Sequence, residues 1–434
     1  MSLKIRRLDA RESSFGPAFA ALVEEKREVA ADVSALVAGL IADVRKRGDE
    51  ALIALTERFD GVRLAPGTLR VPDAEIEHSW SAIDAETRAA LELAAARIRR
   101  FHERQVPKDD LFTDELGVEL GCRWTPLDAV GLYVPGGTAA YPSTVLMNAV
   151  PASVAGVPRI VMAVPAPKGV LNPLVLAAAR LGGVHEIYRV GGAQAVAALA
   201  FGTRTIAPVD KIVGPGNAYV AEAKRQVFGR VGIDLMAGPS EVVIVADKAT
   251  DPAWIACDLL AQAEHDAAAQ SILITDDADF ADAVVHAIEA ELGGLGRAAI
   301  ARASLETYGA ILIVEQLADA PPLIDALAPE HLQLAIEAPA AFAARVRHAG
   351  AIFLGRFAPE AIGDYVAGTN HVLPTARSAR FASGLSVADF MKRTSIVDLP
   401  ASALAAIGPA AATLARAEGL TAHARSITIR SGRR

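Results

Sequence analysis

Gln262 and His265 stand three residues apart in Gln262-Ala-Glu-His265-Asp266, at the end of a run from Asp251 to His265 that reads as helix. On a helix that spacing projects both side chains from nearly one face. An amide oxygen beside a neutral imidazole makes half of a divalent-metal site. Such a pair by itself is commonly a surface or core pair. Its weight here comes from three further histidines, each close to a carboxylate or another metal-competent group. Glu330 and His331 are adjacent in Ala328-Pro-Glu-His-Leu-Gln-Leu334. His371 ends Gly363-Asp364-Tyr-Val-Ala-Gly368-Thr-Asn-His371, and His423 closes Glu418-Gly-Leu-Thr-Ala-His423.

Glu330 and His331 carry the two side-chain types that move protons near neutral pH. Neighbours on a regular element diverge, so the pair suits different steps better than one shared proton. Asp364 adds a hard oxygen to a metal shell, and the Gly368–His371 turn puts His371 at a loop tip, where ligand contacts concentrate. The plain alternatives are a solvated helix start for Glu330-His331 and a frayed end for His423. Five other histidines of the nine (His78, His102, His185, His286, His348) sit in ordinary helical or surface contexts.

Four glycine turns flank strand-like runs: Gly131-Leu-Tyr133-Val-Pro-Gly136-Gly137-Thr138, Val190-Gly-Gly-Ala-Gln194, Gly214-Pro-Gly-Asn217 and Ala237-Gly-Pro-Ser240. Glycine lets backbone approach a ligand, and a following helix N-terminus favours an anion. None is G-x-G-x-x-G or a Walker loop, yet together they point to a small-molecule cleft at strand ends.

These turns need elements to hold them. The first 105 residues read as helices: Val33, Leu36, Val37, Leu40, Ile41 and Val44 follow the amphipathic spacing. Gly48 stops that helix and Asp49 caps the next, to Phe59. Asp84 caps a third, with Leu91, Ile98 and Phe101 on its stripe. On the Asp251–His265 helix, Trp254, Ile255, Leu259 and Leu260 face a core, and Cys257 reads as a buried small hydrophobe. From about Cys122, β-branched runs alternate with helices: 159–164, 186–190, 211–213, 241–245, 271–275, 310–314 and 351–354. That alternation implies two parallel-sheet α/β units covered on both faces. After Pro374 the pattern is irregular, then helical from Ala401 to Glu418.

The chain has 434 residues, 52% hydrophobic and 22% charged, with a net charge of −8. Those numbers describe a folded globular protein of more than one domain and argue against a nucleic-acid surface, the short basic tail notwithstanding. No apolar stretch reaches transmembrane length, the N-terminus lacks a signal peptide's apolar core, and two cysteines exclude a disulfide framework. A cytoplasmic protein is expected.

The motifs together resemble the histidinol dehydrogenase family. The resemblance runs through Gly131-Leu-Tyr133-Val-Pro-Gly-Gly, Val190-Gly-Gly-Ala-Gln194-Ala, Val209-Asp-Lys-Ile-Val-Gly-Pro-Gly-Asn217 and Ala237-Gly-Pro-Ser240-Glu241. It continues through Gln262-Ala-Glu-His265, Pro329-Glu330-His331-Leu, Gly363-Asp364-Tyr to His371-Val-Leu-Pro374, and Glu418-Gly-Leu-Thr-Ala-His423. It covers the chain from about residue 120 to its end.

The resemblance implies an NAD-dependent, zinc-containing oxidation of L-histidinol to L-histidine, with one zinc per subunit. Zinc ligands would be Gln262, His265, Asp364 and His423; catalytic residues would be Glu330 and His331. Substrate would touch Ser240, Gln262, His265, Glu330, His331, Asp364, His371, Glu418 and His423. NAD would touch Tyr133, Gln194 and Asn217. A homodimer is implied, with His423, and with it Glu418 and His371, acting across the interface. The implied fold is two incomplete Rossmann-like domains of the aldehyde-dehydrogenase-like type. The divisions would be an N-terminal extension (1–25), a substrate and zinc domain (26–128 with 239–380), a nucleotide domain (129–238) and a C-terminal dimer-exchange arm (381–434). Rival readings are a paralogue oxidising another small alcohol, such as a sulfonated diol, and a zinc hydrolase.

Overall fold

The computed structural model describes residues 3–25, 33–136, 141–235 and 238–430, so Gly137-Thr138 and Ala237 of the glycine turns lie outside the described residues. Among them run β1 Arg6–Asp9, β2 Asp110–Thr113, β3 Glu119–Pro126, β4 Ala129–Tyr133, β5 Arg159–Ala163, β6 Glu186–Tyr188 and β7 Lys211–Val213. The later strands are β8 Gly232–Ile233, β9 Glu241–Ala246, β10 Gln270–Thr275, β11 Ala310–Ile313, β12 His331–Ala335, β13 Ala351–Leu354 and β14 Met391–Asp398. Two all-parallel sheets result, one ordered β6-β5-β4-β7-β8 and the other β1-β11-β10-β9-β12-β13. An antiparallel ribbon, β14-β3-β2, is the third sheet.

The expected alternation of strands and helices is present, and its cause is visible in burial. Every residue of β9 (Glu-Val-Val-Ile-Val-Ala) and of β10 is buried, as strands covered on both faces require. Several strands lie outside the β-branched runs of the sequence. β4 is short and glycine-split, β12 carries His331 and Gln333 among its apolar residues, and β14 lies in the irregular stretch after Pro374.

The N-terminal helices pack differently from expectation. Residues 26–128 are expected to join 239–380, yet the helices Ser34–Arg47 and Asp49–Asp60 cover one face of the five-stranded sheet. There Val37, Ile41 and Leu52 meet Val161, Val196 and Ile212. The helix Ala85–Glu103 joins the opposite face through Leu91 and Ile98. Apolar stripes need a partner surface, and the small alanine-rich helices 192–201 and 142–154 offer one close by.

Other details also differ. Gly48, not Asp49, occupies the N-cap of Asp49–Asp60, whereas Asp84 caps Ala85–Glu103 by accepting the Thr87 N–H at 2.8 Å. Leu36 and Phe101 are exposed. On the helix Pro252–Ala263, Ile255, Leu259 and Leu260 are buried, but Trp254 is exposed, its ring beside Phe357, and Cys257 is exposed too. The buried stripe of a 3.6-residue repeat is narrow, and both lie off it. No described helix is long and apolar enough to cross a membrane.

The turn after β7 is locked by a buried ion pair. Lys224 and Asp234 pair with each other; Lys224 Nζ donates to the Gly214 carbonyl at 3.0 Å, and Asp234 Oδ2 accepts the Gly214 N–H at 2.6 Å. Gly214 has φ +110°, and a Cβ there would lie 2.1 Å from the Tyr133 carbonyl oxygen. Gly214→Ala is therefore expected to destabilise the fold by at least about 2 kcal/mol in urea melts. An unchanged midpoint would show that this close approach does not constrain the turn.

Candidate active site

A cavity of about 240 Å³ opens between the C-terminal edge of the five-stranded sheet and the N-terminal edge of the six-stranded one. Tyr141, Ser143, Thr144 and Pro215 line it from the first side. Ser240, His265, Glu330, His331, Asp364 and His371 line it from the second. Six of the expected site residues thus share one pocket.

Glu330 and His331 are held by the two backbone groups of one residue. The Glu241 N–H donates to Glu330 Oε2 at 2.9 Å, and His331 Nδ1 lies 3.0 Å from the Glu241 carbonyl. A carbonyl only accepts, so Nδ1 carries the hydrogen and Nε2 keeps its lone pair. Burial pushes the His331 pKa down, which keeps the ring neutral and able to accept a proton. Burial also pushes Glu330 well above the usual carboxylate range, aided by the charges of Glu241, Asp364 and Glu360, although the Glu241 N–H pulls the other way. The helix-start alternative for this pair fails: His331 opens β12, and both residues are buried.

Asp364 and His371 line the same cavity, with His371 Nδ1 3.5 Å from Asp364 Oδ1. Burial would raise the Asp364 carboxyl, but the hydrogen bond and charge of His371, with His331 and His265 beyond, outweigh it and hold the pKa low. His371 is not at an exposed tip. Its loop is anchored next door by Asn370, whose Nδ2 donates to the Met147 carbonyl at 2.7 Å and whose Oδ1 accepts the Val372 N–H.

The helix before His265 ends at Ala263, so His265 belongs to the closing turn, its N–H donating to the Gln262 carbonyl at 3.2 Å. Gln262 does not line the cavity: it is fully buried, and neither its Oε1 nor its Nε2 has a hydrogen-bond partner. A buried amide left unpaired costs roughly 1–3 kcal/mol. Such an orphan, three residues before His265, has the chemistry of a zinc ligand, although the acidic and imidazole atoms that lie closest together here are those of His331, Glu360 and Asp364.

Tyr133 ends β4, Gln194 lies in the helix after β6 and Asn217 caps the helix after β7, so all three are at the C-terminal edge of the five-stranded sheet, and none lines the cavity. Tyr133 is buried and its hydroxyl accepts the Gly192 N–H at 3.0 Å. Gln194 is buried in the first turn of the next helix. Asn217 caps the helix Ala218–Val227 by accepting from Tyr219 and Val220, which leaves its side-chain N–H groups for a ligand. Glu418 and His423 are exposed on the arm formed by the helices Ala401–Ala417 and Thr421–Thr428, and neither lines the cavity within one chain.

Glu360 does not stand out in the sequence. It is buried, its Oε2 has no hydrogen-bond partner, and it stands 4.0 Å from His331 Nε2. His331, Glu360 and Asp364 each offer a ligand atom within 4.8 Å of the others. The available signal is Pro359-Glu360 four residues before Asp364, at the start of the helix Ala361–Tyr365. Burial, with the charges of Asp364 and Asp258, pushes the Glu360 pKa from 4.5 to about 8. A carboxyl raised in the folded state stabilises it below the unfolded pKa, and that contribution fades as pH rises through about 8. In chelator-treated protein, urea melts of Glu360→Gln and the parent should agree near pH 5 and separate by roughly 3–5 kcal/mol near pH 9, the variant being more stable. A gap independent of pH would contradict this.

From residue 23 to residue 431 the chain matches the family model described as histidinol dehydrogenase. Histidinol dehydrogenase of Rhodospirillum rubrum is 65% identical over 428 residues, spanning 98% of this chain and 99% of the relative. That of Rhodopseudomonas palustris is 63% identical, spanning 99% of each. The crystal structure of histidinol dehydrogenase from Elizabethkingia anophelis superposes with a TM-score of 0.95 at 35% identity, covering 99% of this chain and 98% of that one. The chain belongs to the histidinol dehydrogenase family.

Proposed function

We propose that this protein oxidises L-histidinol to L-histidine by way of L-histidinal, reducing two NAD, as a cytoplasmic homodimer with one zinc per subunit. The observation that carries the reading is the Glu330–His331 pair, fixed to the Glu241 backbone and opening on a cavity that touches both sheets. Gln262, His265 and Asp364, with His423 from across the interface, would hold zinc, which would supply an anchor orienting the amino alcohol, and bound NAD would supply the hydride acceptor for each oxidation. His331 Nε2 accepts the alcohol proton in the first oxidation. Glu330, whose raised pKa makes its ionised form a stronger base, takes a proton from the water that adds to the aldehyde. His331, its first proton released to solvent between the two oxidations, then accepts a hydroxyl proton of the hydrate in the second. Ser240 and His371 would complete the substrate contacts, His371 from its own chain's cavity beside Asp364 and not, as the resemblance implied, across the interface, while Glu418 would reach in across the interface. Tyr133, Gln194 and Asn217 would hold NAD at the adjoining strand ends. Neither cysteine is needed, and burial and nearby carboxylates raise the Cys257 thiol pKa, away from thiolate chemistry.

The deciding assay counts two NADH per histidinol, with dihydroxypropanesulfonate as the rival substrate. Glu330→Gln is expected to slow histidinal oxidation on the order of a hundredfold while slowing histidinol oxidation far less. Equal losses in both half-reactions would end that division of labour. Contribution of His423 across an interface is tested by mixing. His423→Asn and Glu330→Gln should each be nearly inactive alone, yet a one-to-one co-assembled sample should regain about a quarter of parental activity, since half the dimers then hold one intact site. No recovery would place His423 outside the partner's site.

A further inference from the structure

In a doubly wound sheet a dinucleotide crosses the crevice where strand order reverses, and a carboxylate at the end of the second strand commonly takes the ribose hydroxyls. Here the order reverses between β4 and β7, and β5 is the second strand. The connection after β5 reads Val164-Pro-Ala-Pro-Lys168-Gly169-Val170, and no acid appears before Glu186. The expected place for the carboxylate is thus empty on its own strand.

Another element reaches that place. The helix Asp49–Asp60 ends at Asp60, and Gly61, with φ +69°, turns the chain so that Val62 packs beside Gly169 of the β5 connection. Burial raises the Tyr133 hydroxyl pKa at the end of β4, and the Asp60 charge adds to the rise. Asp60 Oδ2 is shielded from solvent and has no hydrogen-bond partner. An ionised carboxylate only accepts, so this atom lacks a donor, and two vicinal ribose hydroxyls would supply one each.

We propose that Asp60 receives the adenosine-ribose hydroxyls of NAD and excludes the 2′-phosphate of NADP. The inference rests on the NAD-dependent function proposed for this site and extends it to a residue supplied by the N-terminal helices. A phosphate beside that carboxylate would bring like charges together and leave the acid without its donor.

Direct calorimetric titration of NAD and of NADP into the full-length protein tests it without turnover. Asp60→Asn and Asp60→Ala should weaken NAD binding about tenfold, the value of one hydrogen bond to a charged group, and should narrow the NAD-to-NADP preference at least as much. In assays, KM for NAD should rise while kcat at saturating NAD and KM for histidinol stay unchanged. Unaltered NAD affinity and NADP discrimination in a folded variant would overturn the assignment and leave the proposed reaction intact. NAD binding that depends on Asp60 in a protein inert toward histidinol would do the reverse. Should Asp60→Ala fail to fold, Asp60→Asn, which keeps shape and one acceptor, decides between the outcomes. Absence of NAD binding to the parent protein would overturn both.

Discussion

The site depends on one backbone unit. At the entry to β9, the N–H and C=O of Glu241 lie at the rim of a parallel sheet, and the side chains of Glu330 and His331 complete them. Buried backbone groups require partners. The two side chains are therefore held by the same demand that stabilises the strand end. Because the carbonyl claims Nδ1, the tautomer follows from the fold, and the ring nitrogen left bare is the one that can accept a proton. A sheared register between β9 and β12 would move His331 away from Glu241 and lose the pair together with the strand contacts.

The Glu241 side chain extends this control. Its Oε1 accepts the Ala376 N–H at 2.8 Å, and Thr375 Oγ1 accepts the Gly238 N–H at 2.6 Å. The strand entry, the 375–377 loop and the approach to Ser240 thus form one bonded body. Facing it, Lys224 and Asp234 fix Gly214 on the turn that carries Pro215 into the cavity. One sheet presents its C-terminal rim and the other its N-terminal rim. Ligand crevices in open sheets ordinarily use C-terminal rims. The opposite rim also lines the cavity here because its strand-entry backbone binds side chains, leaving imidazole and carboxylate facing that space.

Much of this is legible in the chain, for identifiable reasons. Strands such as 241–246 and 270–275 show themselves because burial on both faces demands unbroken β-branched runs. The clusters around His265, His331 and His371 stand out because imidazoles beside carboxylates are scarce in apolar segments, and the pocket gathers them. Glu360 stays hidden because its relation to His331 is made by the pairing of β12 with β13 and the turn that follows, which no local spacing encodes. Cys257 and Trp254 mislead for the opposite reason: in a helix rich in apolar residues, composition does not say which stripe is inside. The helices before residue 105 are readable as helices but not as cover for the five-stranded sheet. Their stripes fit either sheet, and only contacts such as Val37 with the 192–201 helix decide.

The energetic consequence is a site that is under-satisfied by construction. Gln262 has two unpaired buried polar atoms and Glu360 one, and Glu330 is a fully buried acid. Each unpaired polar group costs on the order of 1–3 kcal/mol, a large share of the net stability of a folded domain. The surrounding strands can bear this because β9, β10 and β12 are buried along their whole lengths. A ligand that completes those groups binds the folded state alone, so its binding energy adds to folding stability by linkage. Unpaired buried atoms also occur elsewhere, at Thr56 and Asn148, so it is their coincidence with the imidazole and carboxylate groups of residues 262–265 and 330–371 that points to a site completed by something the chain does not itself contain.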